Sequence, residues 1–207
     1  MLLSYPDEGY DALLADEEVD IVYVGIIHST RREIVEKCLN ANKHTLVEKP
    51  FACSTYDAEY LVKLSRSKGL FMMEGMWTRF FPAIEQARRL VLGSPDGSEP
   101  GVIGEVVSVI SDFNFNASDH EEYPTSIFYN HAVGGGASFF LAPYPISTAT
   151  CFFGGASPDR VCAVGQVDLQ TGVDLQVSMS LRFPPTEFVA PAVDSYNQNE
   201  NTPKLPG

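Results

Sequence analysis

Hydrophobic and polar positions along residues 10–93 follow two alternating patterns. Apolar, β-branched runs of strand length give way to stretches in which apolar residues recur every three or four positions. A short helical stretch, YDALLADEE at 10–18, comes first. VDIVYVGII, 19–27, has the make-up of a strand buried on both faces, as in parallel sheets. HSTRREIVEKCLNAN, 28–42, then sets Ile34, Val35, Cys38 and Leu39 at helical spacing, with Ser29 or Thr30 as cap and Asn42 where a helix stops. KHTLVEKPF, 43–51, reads as a second strand. STYDAEYLVKLSRSKG, 54–69, is a second amphipathic helix, capped by Ser54 with Asp57 three positions on and closed by Gly69. LFMMEGM, 70–76, is a third strand, and TRFFPAIEQARRLVLG, 78–93, a third helix with Pro82 in its first turn.

Strands alternating with helices across short links predict parallel strands with right-handed crossovers, part of a doubly wound sheet. Ligands bind such sheets beyond the carboxyl ends of the strands. His28-Ser29-Thr30, Glu48-Lys49-Pro50 and Glu74-Gly75-Met76 all fall at those ends. On its own, an acid and a base closing a strand read as charges leaving the core for water. The parallel pattern instead brings them to one crevice edge.

After residue 93 the texture changes. GSPDGSEPG, 93–101, is a turn-rich linker. Strand-like runs at 103–115, 161–169 and 173–183, interrupted by a helical stretch at 137–153, predict a second domain built on a mainly antiparallel sheet. Residues 185–207 are rich in Pro, Asn and Glu, lack periodicity and are expected to be a disordered tail. The expected fold class is α/β plus α+β: an incomplete parallel sheet over 1–93, then an incomplete antiparallel one over 94–184.

Composition narrows the function. Of 207 residues, 44% are hydrophobic and 20% charged, enough to bury a core. The net charge of −13 disfavours nucleic acid and anionic membrane as partners. Four cysteines, none spaced C-x-x-C and none in a His-rich tract, predict no metal site and suit the reducing cytoplasm. The opening MLLSYPDEGYDALLADEEVD lacks the basic start and apolar run of a signal peptide. The longest apolar segment, 137–153, is broken by Pro143 and Pro145 and is too short to span a bilayer. The sequon at Asn116 is read as a chance match.

VDIVYVGIIHSTRREIVEKCLNANKHTLVEKPF resembles the dinucleotide-binding half of the Gfo/Idh/MocA oxidoreductases. LFMMEGMWTRFFPA, GVIGEV and TGVDLQVSMSLRFP are similar to the branch of dihydrodiol and D-xylose 1-dehydrogenases. The resemblance spans about residues 5–184. It implies a Rossmann domain over 1–93, a substrate and oligomerisation domain over 94–184, NADP or NAD as cofactor, a sugar or trans-dihydrodiol substrate, and a homodimer. It also implies that Lys49 sits between nicotinamide and substrate. Tyr144, which ends a G-G-G-x-x-x-D-x-G-x-Y pattern read here as GGGASFFLAPY, would be the acid/base. Hydride leaves a carbinol carbon while a base takes the hydroxyl proton, and a tyrosine serves where an ammonium stabilises the phenolate. The resemblance further implies that His28, Ser29 and Thr30 meet the cofactor near its ribose and nicotinamide, with Glu48 and Pro50 also at the cofactor, and that Trp77 and Arg79 line the cleft, where Arg79 would offer a fork to a phosphate or hydroxyl. Read without the family, Tyr144 is a half-buried helix tyrosine, Trp77 a core residue and Arg79 a solvated helix-start charge.

Three departures qualify the resemblance. No G-x-G-x-x-G follows a strand, Phe140 and Ala142 stand where the pattern has aspartate and glycine, and the likeness stops at LRFP. They point to a family member truncated at both ends, and keep open a second reading: an inactive fragment or an interaction protein.

Overall fold

The computed structural model describes residues 9–94, 97–115 and 123–184. Helix α1 (Gly9–Ala15) leads into strand β1 (Ile21–Val24), helix α2 (His28–Asn40), strand β2 (His44–Glu48), helix α3 (Thr55–Ser67) and strand β3 (Met72–Gly75). The strands pair in the order β1-β2-β3, all parallel, with Val24 beside Val47 and Val47 beside Glu74. That is the expected alternation. One sheet face meets the helices. Val24 and Val47 bury there against Val35, Cys38 and Leu39 of α2 and Leu61 of α3. Removing these side chains from water is the main term that holds three short strands together.

The helix ends follow from local chemistry. Ser54 accepts a hydrogen bond from Asp57 N at 3.1 Å, capping α3. Gly69, at φ +65°, closes it with no atom within 4 Å of a notional Cβ, so the position requires only the left-handed backbone. Asn42, at φ 58°, follows α2. The start of α2 differs from expectation. Its cap is Ile27, without a side-chain cap bond, and Ser29 and Thr30 lie inside the first turn, where the Thr30 hydroxyl donates back to Ile27 O. Beyond β3 a 3₁₀ turn (Trp77–Phe80) precedes helix α4 (Pro82–Leu92), which Pro82 opens as expected.

β1 is not buried on both faces. Tyr23 is 60% exposed, because α2 and α3 cover only the opposite face. The Tyr23 hydroxyl lies over the sheet and donates to Glu48 Oε1 at 2.8 Å.

The second half comprises 3₁₀ turns at Ile127–Tyr129 and His131–Val133, helices α5 (Ala137–Phe140) and α6 (Pro143–Phe152), and strands β4 (Arg160–Val167) and β5 (Asp174–Arg182). β4 and β5 form an antiparallel pair where strands are expected. The run at 103–115 forms no strand. β5 keeps one edge unpaired, and residues 107–115 line a pocket beside it without forming a ladder, with Val107 and Ile110 92% and 95% exposed. The single helix expected over 137–153 is two. Pro143 carries no amide hydrogen, and the chain restarts there as the first turn of α6. The tail at 185–207 and the sequon at Asn116 lie outside the described residues.

Candidate functional site

β2 delivers Lys49 to the carboxyl edge of the parallel sheet, and Pro50 behind it is buried. Lys49 Nζ donates to the carbonyl oxygen of Phe140 at 2.8 Å. The helix break explains why that oxygen is free. In a continuous helix the Tyr144 amide would donate to Phe140 O, four residues back. Here it donates to Leu141 O at 3.1 Å, leaving the end of α5 with a carbonyl for a cation to take.

The ammonium also faces the Tyr144 ring, 4.7 Å from its centroid, and stands 5.8 Å from that of Phe140. The Tyr144 oxygen accepts from Trp77 Nε1 at 3.0 Å, which leaves its own proton free to donate. Phe113 and Trp77 meet Tyr144 edge-on, and Phe81 meets Trp77 likewise. An ammonium, a phenol and an indole N–H thus converge on one rim from β2, α6 and the turn after β3. Trp77 is 53% exposed, so it is not the core residue that packing alone would suggest.

The remaining expected residues divide. Ser29 and Thr30 are exposed at the start of α2. His28 is buried: its Nε2 donates to Gly134 O at 2.7 Å, and its ring stacks on Phe139 and meets Phe140 edge-on. Burial, aided by the Arg31 and Lys49 charges, holds its pKa below the ordinary 6.5. Gly134, at φ +78°, is required at this contact, since a Cβ there would collide with His28 Nε2. Glu48 makes no ion pair with Lys49's ammonium; it takes the Tyr23 hydroxyl and, through Oε2, the Lys49 amide at 3.1 Å. Arg79 turns its fork inward, donating to Ser147 Oγ and O at 2.8 and 3.0 Å and to Thr150 Oγ1 at 2.6 Å, and so ties the turn after β3 to α6.

Glu74 supports the loop after Lys49 by accepting the Phe51 amide at 2.8 Å; burial raises its carboxyl pKa above 4.5. Beside this loop a pocket of about 640 Å³ opens between α3 and α6, lined by Phe51, Thr55, Glu74, Arg79 and Ile146 among others. Arg31 is the residue that pattern reading overlooked. The buried stripe of α2 runs His28, Arg31, Val35, Cys38, Leu39, and extending the apolar register one turn back reaches a charged residue. Among the described residues no three His, Cys, Asp or Glu side chains are grouped to hold a metal, and no helix is long and apolar enough to cross a membrane.

Comparison with known proteins gives concordant results. The family model described as an oxidoreductase family with an NAD-binding Rossmann fold matches residues 4–76, and that of the GFO/IDH/MocA C-terminal domain matches 98–198. A trans-1,2-dihydrobenzene-1,2-diol dehydrogenase of Bos taurus is 35% identical over 84% of this chain and 48% of its own length. The chain spans about half the length of the curated relatives it matches. Among solved structures, KijD10, a 3-ketoreductase from Actinomadura kijaniata in complex with TDP-benzene and NADP, aligns with a TM-score of 0.65 and 31% identity over 84% of this chain and 48% of that one. GenD2 from gentamicin A biosynthesis, in complex with NAD, shares the fold, with a TM-score of 0.64 and 20% identity over 85% and 48% of the two chains.

Proposed function

The chain belongs to the Gfo/Idh/MocA oxidoreductase family, and on that premise we propose that it serves an NAD(P)-dependent dehydrogenation of a sugar or trans-dihydrodiol C–OH. The observation that carries this reading is the convergence of Lys49, Tyr144 and Trp77 on one rim at the carboxyl edge of the sheet. Its donor chemistry suits the nicotinamide end of the cofactor: an ammonium, an indole N–H and a phenol border an exposed edge, with the hydroxyls of Ser29 and Thr30 at the start of α2 for the ribose. The sequence contains no glycine-rich phosphate loop, so these residues account for that end alone. The cofactor, NADP or NAD, supplies the acceptor for the hydride.

The protein's part is to orient and to handle the proton. Lys49 uses one of its three N–H donors on Phe140 O, leaving two for the substrate oxygen. Tyr144 carries the hydroxyl proton, with Lys49 against its ring and Trp77 donating to its oxygen. Phe140 puts an apolar ring where the family pattern has a carboxylate, which favours the less hydroxylated of the two substrate classes.

Fluorescence titration with NADPH tests cofactor binding, and a spectrophotometric assay with NADP and D-xylose or trans-dihydrobenzenediol tests turnover. Lys49→Ala and Tyr144→Phe are each expected to lower turnover by roughly 100-fold or more. Full activity in either variant removes the role assigned to that residue, and no saturable binding at millimolar NADPH removes the enzymatic reading. A second reading, an interaction protein of the same descent, is favoured by the exposed valines of β4, Val161, Val164 and Val167.

A further inference from the structure

Arg31 stands in the first turn of α2 with 3% of its surface exposed, yet it makes no ion pair with a carboxylate. Its guanidinium goes to backbone instead. Nη1 donates to Glu48 O at 2.7 Å and to Pro50 O, and Nη2 donates to Ile26 O at 2.5 Å. Nε has no hydrogen-bond partner. Glu48 and Pro50 are the two neighbours of Lys49. One nitrogen therefore holds the carbonyl groups on both sides of that residue, while the other holds the segment leaving β1.

Burying a guanidinium is costly, and a well-packed apolar side chain commonly serves stability as well or better. An apolar side chain has no way to fix the direction of two carbonyl groups. The planar fork does: Glu48 O belongs to the peptide unit that enters Lys49 and Pro50 O to the unit after the Lys49–Pro50 bond, so the short stretch of backbone that sets where the Lys49 side chain leaves is held at both ends. The far end of that side chain then reaches Phe140 O, on an element 91 residues further along the chain. From this geometry we infer that Arg31 is the positioning residue of Lys49, aiming its ammonium into the rim that Tyr144 and Trp77 complete. The inference deepens the proposed function, since it rests on Lys49 acting at that rim, but its test requires neither cofactor nor substrate.

The test is acetylation of each lysine by a limiting amine reagent, followed by peptide mass spectrometry, in the wild type, Arg31→Met and Arg31→Lys. Lys43 is the internal control: it is 8% exposed, and its Nζ donates to Asp16 O at 2.6 Å, away from Arg31's carbonyls. Lys63, with its side chain 77% exposed, reports reagent activity. Arg31→Met is expected to speed Lys49 acetylation roughly tenfold, as for the loss of charge-assisted hydrogen bonds, and to leave Lys43 and Lys63 unchanged. Arg31→Lys, which keeps the charge but not the fork, is expected to fall between the two. An unchanged Lys49 rate in a folded variant overturns the proposal. So does equal acceleration of Lys43 and Lys49, which marks a general loosening. Failure of both variants to fold assigns Arg31 to the fold itself and equally overturns it. In protein that turns over, Arg31→Met lowers kcat roughly tenfold or more with KM nearly unchanged, as expected for misaiming a group that acts in the transition state. A wild type that binds no cofactor defeats the proposed function, while the acetylation rates still decide whether Arg31 aims Lys49.

Discussion

His28 carries its proton on Nε2, because Gly134 O can only accept, and burial disfavours a second proton. Its folded pKa lies below the unfolded value of about 6.5, so the unfolded chain binds the proton more readily. Stability from this group is therefore complete above about pH 6.5 and lost as pH falls through it toward the folded value. Glu74 has the opposite sign: its raised carboxyl pKa favours the folded state at low pH, and that contribution is lost as pH rises from 4.5 through the folded value. Between about pH 7.5 and 5.5 the histidine is expected to dominate. Thermal unfolding followed by circular dichroism should show a Tm that falls across this interval in the wild type and falls less in His28→Gln, whose amide still donates toward Gly134 O. Equal slopes would remove His28 as the cause.

Among the elements, α3 separates local from tertiary contributions within a single helix. Ser54→Ala deletes its cap and is expected to cost about 1 kcal/mol. Leu61→Ala, at a fully buried position between α3 and the sheet, is expected to cost about 2–5 kcal/mol through lost burial and the cavity left behind. Urea denaturation of both variants measures the two costs. A Ser54 effect as large as that of Leu61 would mean that α3 stands by its own local signals more than by packing. The α5–α6 break shows how an interruption becomes a site: the Tyr144 amide turns to Leu141 O, and the carbonyl it leaves at Phe140 takes the Lys49 ammonium.

At the scale of the molecule, charge and apolar exposure oppose one another. A net charge of −13 keeps copies apart. Against that, β4 turns Val161 to one face of the strand pair and Val164 to the other, at 62% and 72% exposure, and β5 adds Leu175. Faces of this kind associate. Val164→Lys, opposite Ser178 on the neighbouring strand, is expected to lower self-association measured by static light scattering over a concentration series. The same series at raised salt should strengthen association in the wild type by screening the repulsion. A molar mass that ignores both changes would show that the face carrying Val164 stays idle.

The sequence by itself determined the alternation of strands and helices over residues 21–92, the parallel sheet they form, the caps at Ser54 and Gly69, and the arrival of Lys49 at the carboxyl edge. These depend on spacing, capping and short connections, which act over a few residues. Tertiary structure alone decided that one face of β1 stays open, that the apolar run at 103–115 goes unpaired, that Arg31 is buried against three carbonyls, and that Phe140 O meets Lys49. Each of these turns on a partner distant in the chain. Periodicity tells which residues seek burial or pairing; only the assembled chain settles whether a partner surface is there to receive them.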